Sequence, residues 1–331
     1  MTFSVASEVA SETTVGFLMP PSGLGDQSFN DMTYSGLIQA KQRDDFRLIR
    51  EQCTSADDSP RLKMEALLDR GADIVIANGW EFTDIVEEFA KKNPESLFLL
   101  NDIPVTGFSN IVSTVFGQHE GAFLAGALAA MMSKNDHVGF VGGVDMPVIR
   151  AFYVGYEEGV KFIDNNIKIS IRFIQESDSS VSGFNNPAVG KREASTMYDQ
   201  GADIIFSVAG LSGNGVIRAA VEKKMFVIGV DANQDHMAKG YVLTSVIKRL
   251  DTAVDTVLGE IFANKFQAGV RYFDLTSGGV GLSPMEFTRD VVPHEIHQRL
   301  LEIQQDIIDD RIMVTNYLNP SNTNPNKSEF L

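Results

Sequence analysis

The sequence has very little cysteine and no long apolar run. Its single cysteine, Cys53, cannot form an internal disulfide, and no CxxC pair or His/Cys cluster suggests a metal site. No stretch approaches the roughly 20 apolar residues that a membrane-spanning helix needs. These absences argue against a disulfide framework, a metal centre and a transmembrane segment.

Basic residues are scarce relative to acidic ones. The chain carries 44 aspartates and glutamates against 28 lysines and arginines, which gives a formal net charge of −16. A charge of this sign repels both a phosphate backbone and an anionic membrane surface. We therefore expect no nucleic acid partner.

Catalytic motifs are missing as well. There is no G-x-S-x-G sequence, and none of the five histidines has the H-E-x-x-H spacing. The acidic pairs Asp57–Asp58 and Asp309–Asp310 are adjacent in sequence, so on a helix their side chains point apart. We predict that the protein is not an enzyme and uses no cofactor.

What is present is a regular alternation of strand-like and helical patterns over 331 residues, a length that favours two lobes. This order is typical of an α/β fold with parallel sheets covered by helices on both faces. The predicted strands are 15–19, 46–50, 74–77, 97–100, 137–141, 167–174, 204–208 and 226–230. The predicted helices include 61–70, 82–92, 120–132, 150–165, 190–200 and 215–223.

One segment occurs twice. RGADIVIANGW at 70–80 recurs as QGADIIFSVAG at 200–210, and both read as a helix end, a turn and a strand. The sequence therefore predicts two similar α/β lobes.

Residues 15–37 carry the first candidate binding segment. A short buried strand is followed by a Gly-rich loop, 20–25, and by a helix for which Ser28, Asn30 and Asp31 are N-cap candidates. Open α/β sheets bind ligands at the carboxyl ends of their strands, so a pocket for a small polar ring is expected here. The alternative is that the glycines only make a turn and that Asp26 only caps the helix.

The two repeated strands each run into a loop of small or aromatic residues. One loop is Asn78-Gly79-Trp80, and the other, 209–215, contains Gly210. The second loop matches neither a P-loop nor a dinucleotide-binding fingerprint, so we expect its backbone to approach an uncharged ligand. If the lobes face each other, both loops open on one cleft.

A third candidate group combines Asp231, at the end of the strand-like segment 226–230, with Lys248. A carboxylate and an ammonium suit ligand hydroxyls, which can donate to the one and accept from the other. The two groups could equally pair with each other. The alternatives are a helix cap for Asp231 and a solvated charge for Lys248.

Several motifs together closely resemble the basic membrane protein family of extracytoplasmic substrate-binding proteins, whose best-known members are purine nucleoside receptors of ABC importers. The motifs are GLGDQSFND at 23–31, VDMPVIRAF at 144–152, GADIIFSVAGLSGNGV at 201–216, GVD at 229–231 and TSVIKRLDTAV at 244–254. The resemblance runs from about Val15 to about Ile312. It implies a type I periplasmic-binding-protein fold, in which two Rossmann-like lobes joined by three crossovers close on a ligand.

The resemblance also implies a division of the chain. The crossovers are expected near 111–118, 241–246 and 272–280. The N-terminal lobe then comprises 13–112 plus 246–273, and the C-terminal lobe comprises 117–242 plus 277–315. Residues 319–331, rich in Asn, Pro and Ser, are expected to form a tail or linker.

The resemblance further implies roles for individual residues. Asp26, with its neighbours Gly25, Phe29 and Asn30, would contact the base, and Tyr34 would cover one face of it. Phe206 or a neighbour would form the opposing wall, with Gly210 in the adjoining loop. Asp231 and Lys248 would hold the ribose hydroxyls, and Asp102 would be a further polar contact. Trp80, at the lip of the cleft, has a packed core tryptophan as its alternative.

Two departures from the family's pattern leave the ligand open. Gly25 stands where many relatives have an acidic or amide residue, and the loop between Asp231 and Lys248 is short. The expected function is capture of a purine nucleoside-like ligand for an ABC permease. The alternatives are a ligand-sensing ectodomain linked to a signalling module and a binder of a sugar or flavin-like cofactor.

The expected setting is the periplasm or the outer face of the membrane, with the protein acting as a monomer. Residues 1–7 resemble the end of a truncated secretory signal, since Ser4-Val5-Ala6 fits a small-x-small cleavage pattern. An ordinary frayed N-terminus is the alternative.

Overall fold

The structure of the protein is a computed structural model that describes residues 12–54, 59–175 and 182–319. The signal-like residues 1–7, the pair Asp57–Asp58 and almost all of the predicted tail lie outside these ranges. In the described chain the strands are β1 (Thr14–Met19), β2 (Arg47–Gln52), β3 (Ile74–Asn78), β4 (Leu97–Asn101), β5 (Ile111–Phe116), β6 (His137–Val144), β7 (Lys168–Gln175), β8 (Ile204–Val208), β9 (Phe226–Asp231), β10 (Val242–Lys248), β11 (Gly269–Phe273) and β12 (Val280–Leu282).

Helices connect most of these strands. They are α1 (Phe29–Arg43), α2 (Pro60–Asp69), α3 (Thr83–Lys92), α4 (Gln118–Met132), α5 (Pro147–Ile163), α6 (Pro187–Asp199), α7 (Gly213–Lys223), α8 (Leu250–Phe262) and α9 (His294–Ile308). Short 3₁₀ turns at Trp80–Phe82, Ser182–Phe184, Gly210–Ser212 and Asp235–Ala238 lead out of the strands at the cleft. None of the helices in the described ranges combines the length and the apolar content that crossing a bilayer requires.

The strands form two six-stranded sheets with the same internal order. The first runs β11-β5-β4-β3-β1-β2 and the second runs β12-β10-β9-β8-β6-β7. Neighbouring strands are parallel except for the antiparallel pair β10 and β12. The repeated motif supplies β3 in one sheet and β8 in the other, at equivalent positions. The predicted α/β fold of two Rossmann-like lobes is therefore confirmed.

The chain crosses between the sheets at three places. It passes from β5 to α4, from β10 to α8, which packs against α1, and from β11 to β12. The first of these places lies within the predicted range 111–118 and the third within 272–280. The second lies after Lys248, beyond the predicted range 241–246, most of which belongs to β10, an inner strand of the second sheet. The predicted lobe boundary at 112 lies inside β5.

The second lobe is held together by two closely packed helices. Helix α4 is buried along most of its length, and α5 lies directly against it. A Cβ at Gly126 would collide with the carbonyl oxygen of Tyr156, and one at Gly159 would collide with that of Phe123. Glycine is needed at both positions because the helix backbones approach so closely. This packing fixes the start of α5, which faces the cleft.

Candidate functional site

A cavity lies between the lobes, at the carboxyl ends of strands from both sheets. The cavity and its mouth together hold about 840 Å³ of space between protein atoms, part of which is open to solvent. The predicted residues that line it are Asp26, Phe29, Asn30, Trp80, Asp102, Gly210, Asp231 and Lys248. Segments far apart in the sequence thus converge on one interlobe cavity, as parallel sheets facing each other dictate.

Asp26 has a structural role at the cavity as well as a place in its wall. Its carboxylate accepts hydrogen bonds from the backbone N–H groups of Ser28, Asn30 and Asp31, at 2.9, 2.9 and 3.1 Å. These bonds satisfy free N–H groups at the start of α1. Burial nevertheless raises the pKa of Asp26 to about 7. Asp26 therefore caps helix α1, which was the alternative role predicted for it, and it also lines the cavity.

A chain of buried amides and hydroxyls lies next to Asp26. The Asn78 side-chain amide donates to Asn30 Oδ1 at 2.7 Å, and Asn78 Oδ1 accepts from Thr33 and from Asn101, each at 2.8 Å. Thr114 continues the chain by donating to Asn101. These residues come from α1 and from the carboxyl ends of β3, β4 and β5. The network fixes the orientation of Asn30 and Asn78 in the cavity wall.

Lys248 lies at the centre of the site. Its ammonium forms an ion pair with Asp102 of the other lobe and lies 5.1 Å from the ring centre of Phe29 and 5.8 Å from that of Phe152. Only 1% of the residue is exposed. A buried ammonium needs such compensation, because an unpaired charge away from water is costly.

Asp231 lies on the same lobe as Lys248 and also reaches across the cleft. Its carboxylate accepts a hydrogen bond of 2.5 Å from the Ser28 hydroxyl, on the first lobe. Burial raises the pKa of Asp231, and the charge of Lys248 together with the Ser28 bond opposes that rise. Since Gln234 also donates to the backbone oxygen of Gln27, at 2.9 Å, polar contacts join the lobes on this side of the cavity.

Asp102 and Asp231 occupy equivalent positions in the two lobes. Asp102 directly follows β4, Asp231 ends β9, and these strands have the same place in their sheets. Both residues adopt positive φ angles, 80° for Asp102 and 63° for Asp231. Such a conformation is uncommon for residues other than glycine and often marks a functional site. The duplicated fold thus brings one carboxylate from each lobe near the same ammonium: Asp102 forms an ion pair with Lys248, and Asp231 lies close enough for the charge of Lys248 to lower its pKa.

Three predicted contact residues do not line the cavity. Tyr34 packs on the sheet, where its ring stacks on Phe17 with centres 6.4 Å apart and lies beneath the Arg50 guanidinium. Phe206 is fully buried in the middle of β8, among other aromatic rings of the core. Gly25 is exposed and donates its N–H to Asp31. The walls assigned to Tyr34 and Phe206 are therefore formed by other residues.

The residues that replace them were not named as contacts from the sequence. Val148, Ile149 and Phe152 of α5 line the cavity, as does Phe184. The spacing of the three α5 residues places them on one helix face directly after β6, a signal that could have been used. Phe184 lies in a 3₁₀ turn after β7, and no periodicity marks it.

Glu81 is another lining residue that was not predicted from the sequence. It follows Trp80 in the 3₁₀ turn after β3, and its carboxylate folds back against Gly79. Burial, reinforced by the nearby charge of Asp102, raises the pKa of Glu81 to about 7. Gly79 has a φ of 129°, so this turn depends on a residue without a side chain.

The arrangement suits the binding of a small polar molecule that is not an anion. Apolar and aromatic side chains from both lobes surround a few fixed carboxylates, amides and one ammonium. A ligand that touches both lobes would favour the closed form, because only that form gains the full set of contacts. The fold and the cavity together define a two-lobe ligand-binding protein.

Comparison with known proteins gives the particular family. The family model described as ABC transporter substrate-binding protein PnrA-like matches residues 13–317. The chain belongs to this family, Bmp, as its resemblance to basic membrane proteins predicted. It is accordingly a substrate-binding protein of an ABC transporter, a class that binds small molecules outside the cytoplasm and interacts with a permease. This is a family of solute-binding proteins and not of enzymes.

Individual relatives agree with this assignment. Basic membrane protein A2 of Borrelia garinii subsp. bavariensis is 30% identical over 299 residues, 87% of this chain and 84% of its own. The ABC transporter nucleoside-binding protein BmpA of Lactococcus lactis subsp. cremoris is 28% identical, over 93% of this chain and 91% of its own. The crystal structure of an ABC transporter solute-binding protein from Aeropyrum pernix K1 has a TM-score of 0.80 and 25% identity, covering 91% and 92% of the two chains.

Proposed function

We propose that the interlobe cavity binds a purine nucleoside and that the protein presents it to an ABC importer. The observation that carries this proposal is the placement of Asp231 and Lys248 beside the rings of Phe29 and Phe152. This placement combines groups for sugar hydroxyls with aromatic surface for a base. The Lactococcus lactis relative is named a nucleoside-binding protein, which supports the same ligand class.

In the proposed complex the base lies on the side of Asp26 and Asn30. The rings of Phe29 and Phe152 offer faces on which a flat heterocycle can stack. Asn30, held by Asn78 and Ser22, presents its amide in a fixed orientation. Because Asp26 has a pKa of about 7, it can accept or donate a hydrogen bond near neutral pH.

The sugar lies on the side of Asp231 and Lys248 in this arrangement. A vicinal diol can donate to the carboxylate and accept from the ammonium. Such charge-assisted hydrogen bonds are stronger than neutral ones and fix the orientation of the sugar. These groups leave little positive charge for a phosphate, since Lys248 is already paired with Asp102 and lies near the carboxylate of Asp231.

Isothermal titration calorimetry with adenosine, guanosine, inosine, uridine and ribose tests this function. We expect at least one purine nucleoside to bind, and ribose alone to bind at least about a hundredfold more weakly because it lacks the stacking surface. Mass spectrometry of small molecules released from the denatured protein provides a second test. Binding of ribose or a flavin without binding of any purine nucleoside would contradict the proposal.

The transport role is tested on the chain in its cellular setting. Deleting the gene should abolish uptake of the radiolabelled nucleoside that binds best in calorimetry, and the wild-type gene should restore it. A variant without Asp231 should fail to restore uptake. Uptake that is unchanged in the deletion strain would contradict the importer role and favour a sensory one.

A further inference from the structure

A second hollow adjoins the nucleoside cavity on its first-lobe side. This groove and its opening hold about 1300 Å³ of empty space. Five residues line both spaces, namely Trp80, Glu81, Asp102, Met146 and Val148. From there the groove continues along Thr83 and Tyr272 to the C-terminal residues Asn316 and Leu318. A ligand in the cavity therefore has a route into the groove past Asp102 and Glu81.

The groove is acidic. Glu81, Asp84 and Asp102 line it, and no lysine, arginine or histidine is among its lining residues in the described chain. Asp102 is already paired with Lys248, whereas Asp84 is exposed to solvent. Within the described ranges, the cavity is lined by Asp26, Glu81, Asp102 and Asp231 and by one cation, Lys248. Both spaces therefore disfavour an anionic ligand and favour a cationic one.

Glu81 differs from the other carboxylates because it is half-buried where the cavity meets the groove, and no cation of the described chain pairs with it. The hydrogen bond that its carboxylate accepts comes from its own backbone N–H. Asp26 accepts three backbone hydrogen bonds, and Asp231 accepts one from Ser28 and lies near Lys248. A partly buried carboxylate without a cation is costly, so an amine on the ligand would gain most at this position.

We propose that the natural ligand carries an amine on its sugar end, which reaches past Asp102 and binds the carboxylate of Glu81. The proposal rests on the nucleoside function proposed above. If the base lies toward Asp26 and the ribose diol toward Asp231 and Lys248, the 5′ substituent is the part of a nucleoside left to enter the groove. The ligand class is thus a nucleoside with a cationic 5′ substituent, and Glu81 is the residue that selects it.

Calorimetry with two probes tests this inference. Adenosine and 5′-amino-5′-deoxyadenosine differ only at the 5′ position. We expect wild-type protein to bind 5′-amino-5′-deoxyadenosine at least about tenfold more tightly than adenosine, because the amine adds a hydrogen bond to a charged group. Glu81→Gln keeps the side-chain shape and removes the charge, so the preference should fall below about twofold. Glu95→Gln removes an exposed carboxylate of the same lobe that lies outside both the cavity and the groove, and it should keep the preference.

The outcomes separate this inference from the proposed function. Equal affinity of wild-type protein for the two probes would overturn the amine site and leave the nucleoside function standing. A preference that persists in Glu81→Gln would overturn the role of Glu81. If wild-type protein binds neither adenosine nor its amine, nor any of the other purine nucleosides, both proposals fail. Binding of adenosine by Glu81→Gln verifies that the variant is folded.

Discussion

Asp102 and Lys248 form an ion pair across the cleft, with Asp102 on the first lobe and Lys248 on the second. The pair is largely buried, with 2% of the Lys248 side chain and 13% of the Asp102 side chain exposed. Since each lobe supplies one partner, the pair exists only when the lobes are closed. The site's only lining cation in the described chain is therefore part of the closing contact itself.

Replacing Asp231 with alanine should weaken nucleoside binding by more than about 1.5 kcal/mol, because hydrogen bonds to a charged group are worth about 1.5–3 kcal/mol. The lobe should remain folded, since Asp231 lies at the end of β9 and not in the apolar core. Calorimetry gives the affinity and circular dichroism gives the fold. Asp199→Ala, an exposed aspartate on the same lobe, is the control. Unchanged affinity in Asp231→Ala would remove this residue from the site.

Two aromatic residues on α1 should respond differently to truncation. Phe29 lines the cavity, whereas Tyr34 packs on the sheet against Phe17. We expect Phe29→Ala to lower nucleoside affinity by about 1 kcal/mol or more through lost stacking, and Tyr34→Ala to change it by less than half as much. Tyr34→Ala should instead lower the melting temperature. A larger affinity loss for Tyr34→Ala than for Phe29→Ala would support the predicted role of Tyr34 as a wall of the binding site.

Removing the ammonium of Lys248 should harm binding more than removing both partners of the ion pair. Lys248→Met leaves Asp102 and Asp231 without a cation, and breaking a buried pair from one side costs about 3–5 kcal/mol. Adding Asp102→Asn should recover part of the lost affinity. The fluorescence of Trp80, the chain's single tryptophan, at the lip of the cavity provides the titration signal. If the losses of binding free energy from Lys248→Met and Asp102→Asn simply add in the double variant, Lys248 and Asp102 act independently.

Glu81 should make the stability of the protein depend on pH. Its pKa is about 7 in the folded protein against an ordinary 4.5, so the folded state binds the proton more tightly than the unfolded state does. The contribution of Glu81 to stability is therefore greatest below about pH 4.5, declines as the pH rises to about 7 and is constant above that. The free energy of unfolding of Glu81→Gln should therefore exceed that of wild type by more at pH 8 than at pH 5.

Urea unfolding at these two pH values measures the effect. Asp84→Asn is the matched control, because this carboxylate is exposed and should change stability little at either pH. An equal difference between Glu81→Gln and wild type at both pH values would contradict the expected titration.

The fold could be predicted largely because its strands are continuous apolar runs. Segments such as 204–208, which is identical to β8, are buried on both faces and carry an unambiguous signal. The strand β10 was missed because threonine and serine interrupt its apolar run; their hydroxyls form buried hydrogen bonds, as Thr244 does with Ser283. That omission displaced the second crossover.

The sequence could predict site residues that lie at the end of a strand. It could not predict those whose orientation depends on side-chain packing. Asp231 directly follows a predicted strand and Trp80 comes three residues after one, so their place at the cleft follows from the fold. The positions of Tyr34 and Phe206 outside the cavity could not be predicted, because the sequence does not say which way a ring on a helix or inside a strand points. Phe206 fills the core between the sheet and its helices, beside Tyr156.

The equivalence of Asp102 and Asp231 has a consequence for the open receptor. When the lobes separate, Lys248 stays with Asp231, because both belong to the second sheet, and Asp102 departs with the first. In one half of the open cleft Asp231 then keeps Lys248 as a neighbouring cation, and in the other half Asp102 faces the solvent without its cation. The two faces of the cleft come from similar lobes, but after opening they differ in charge.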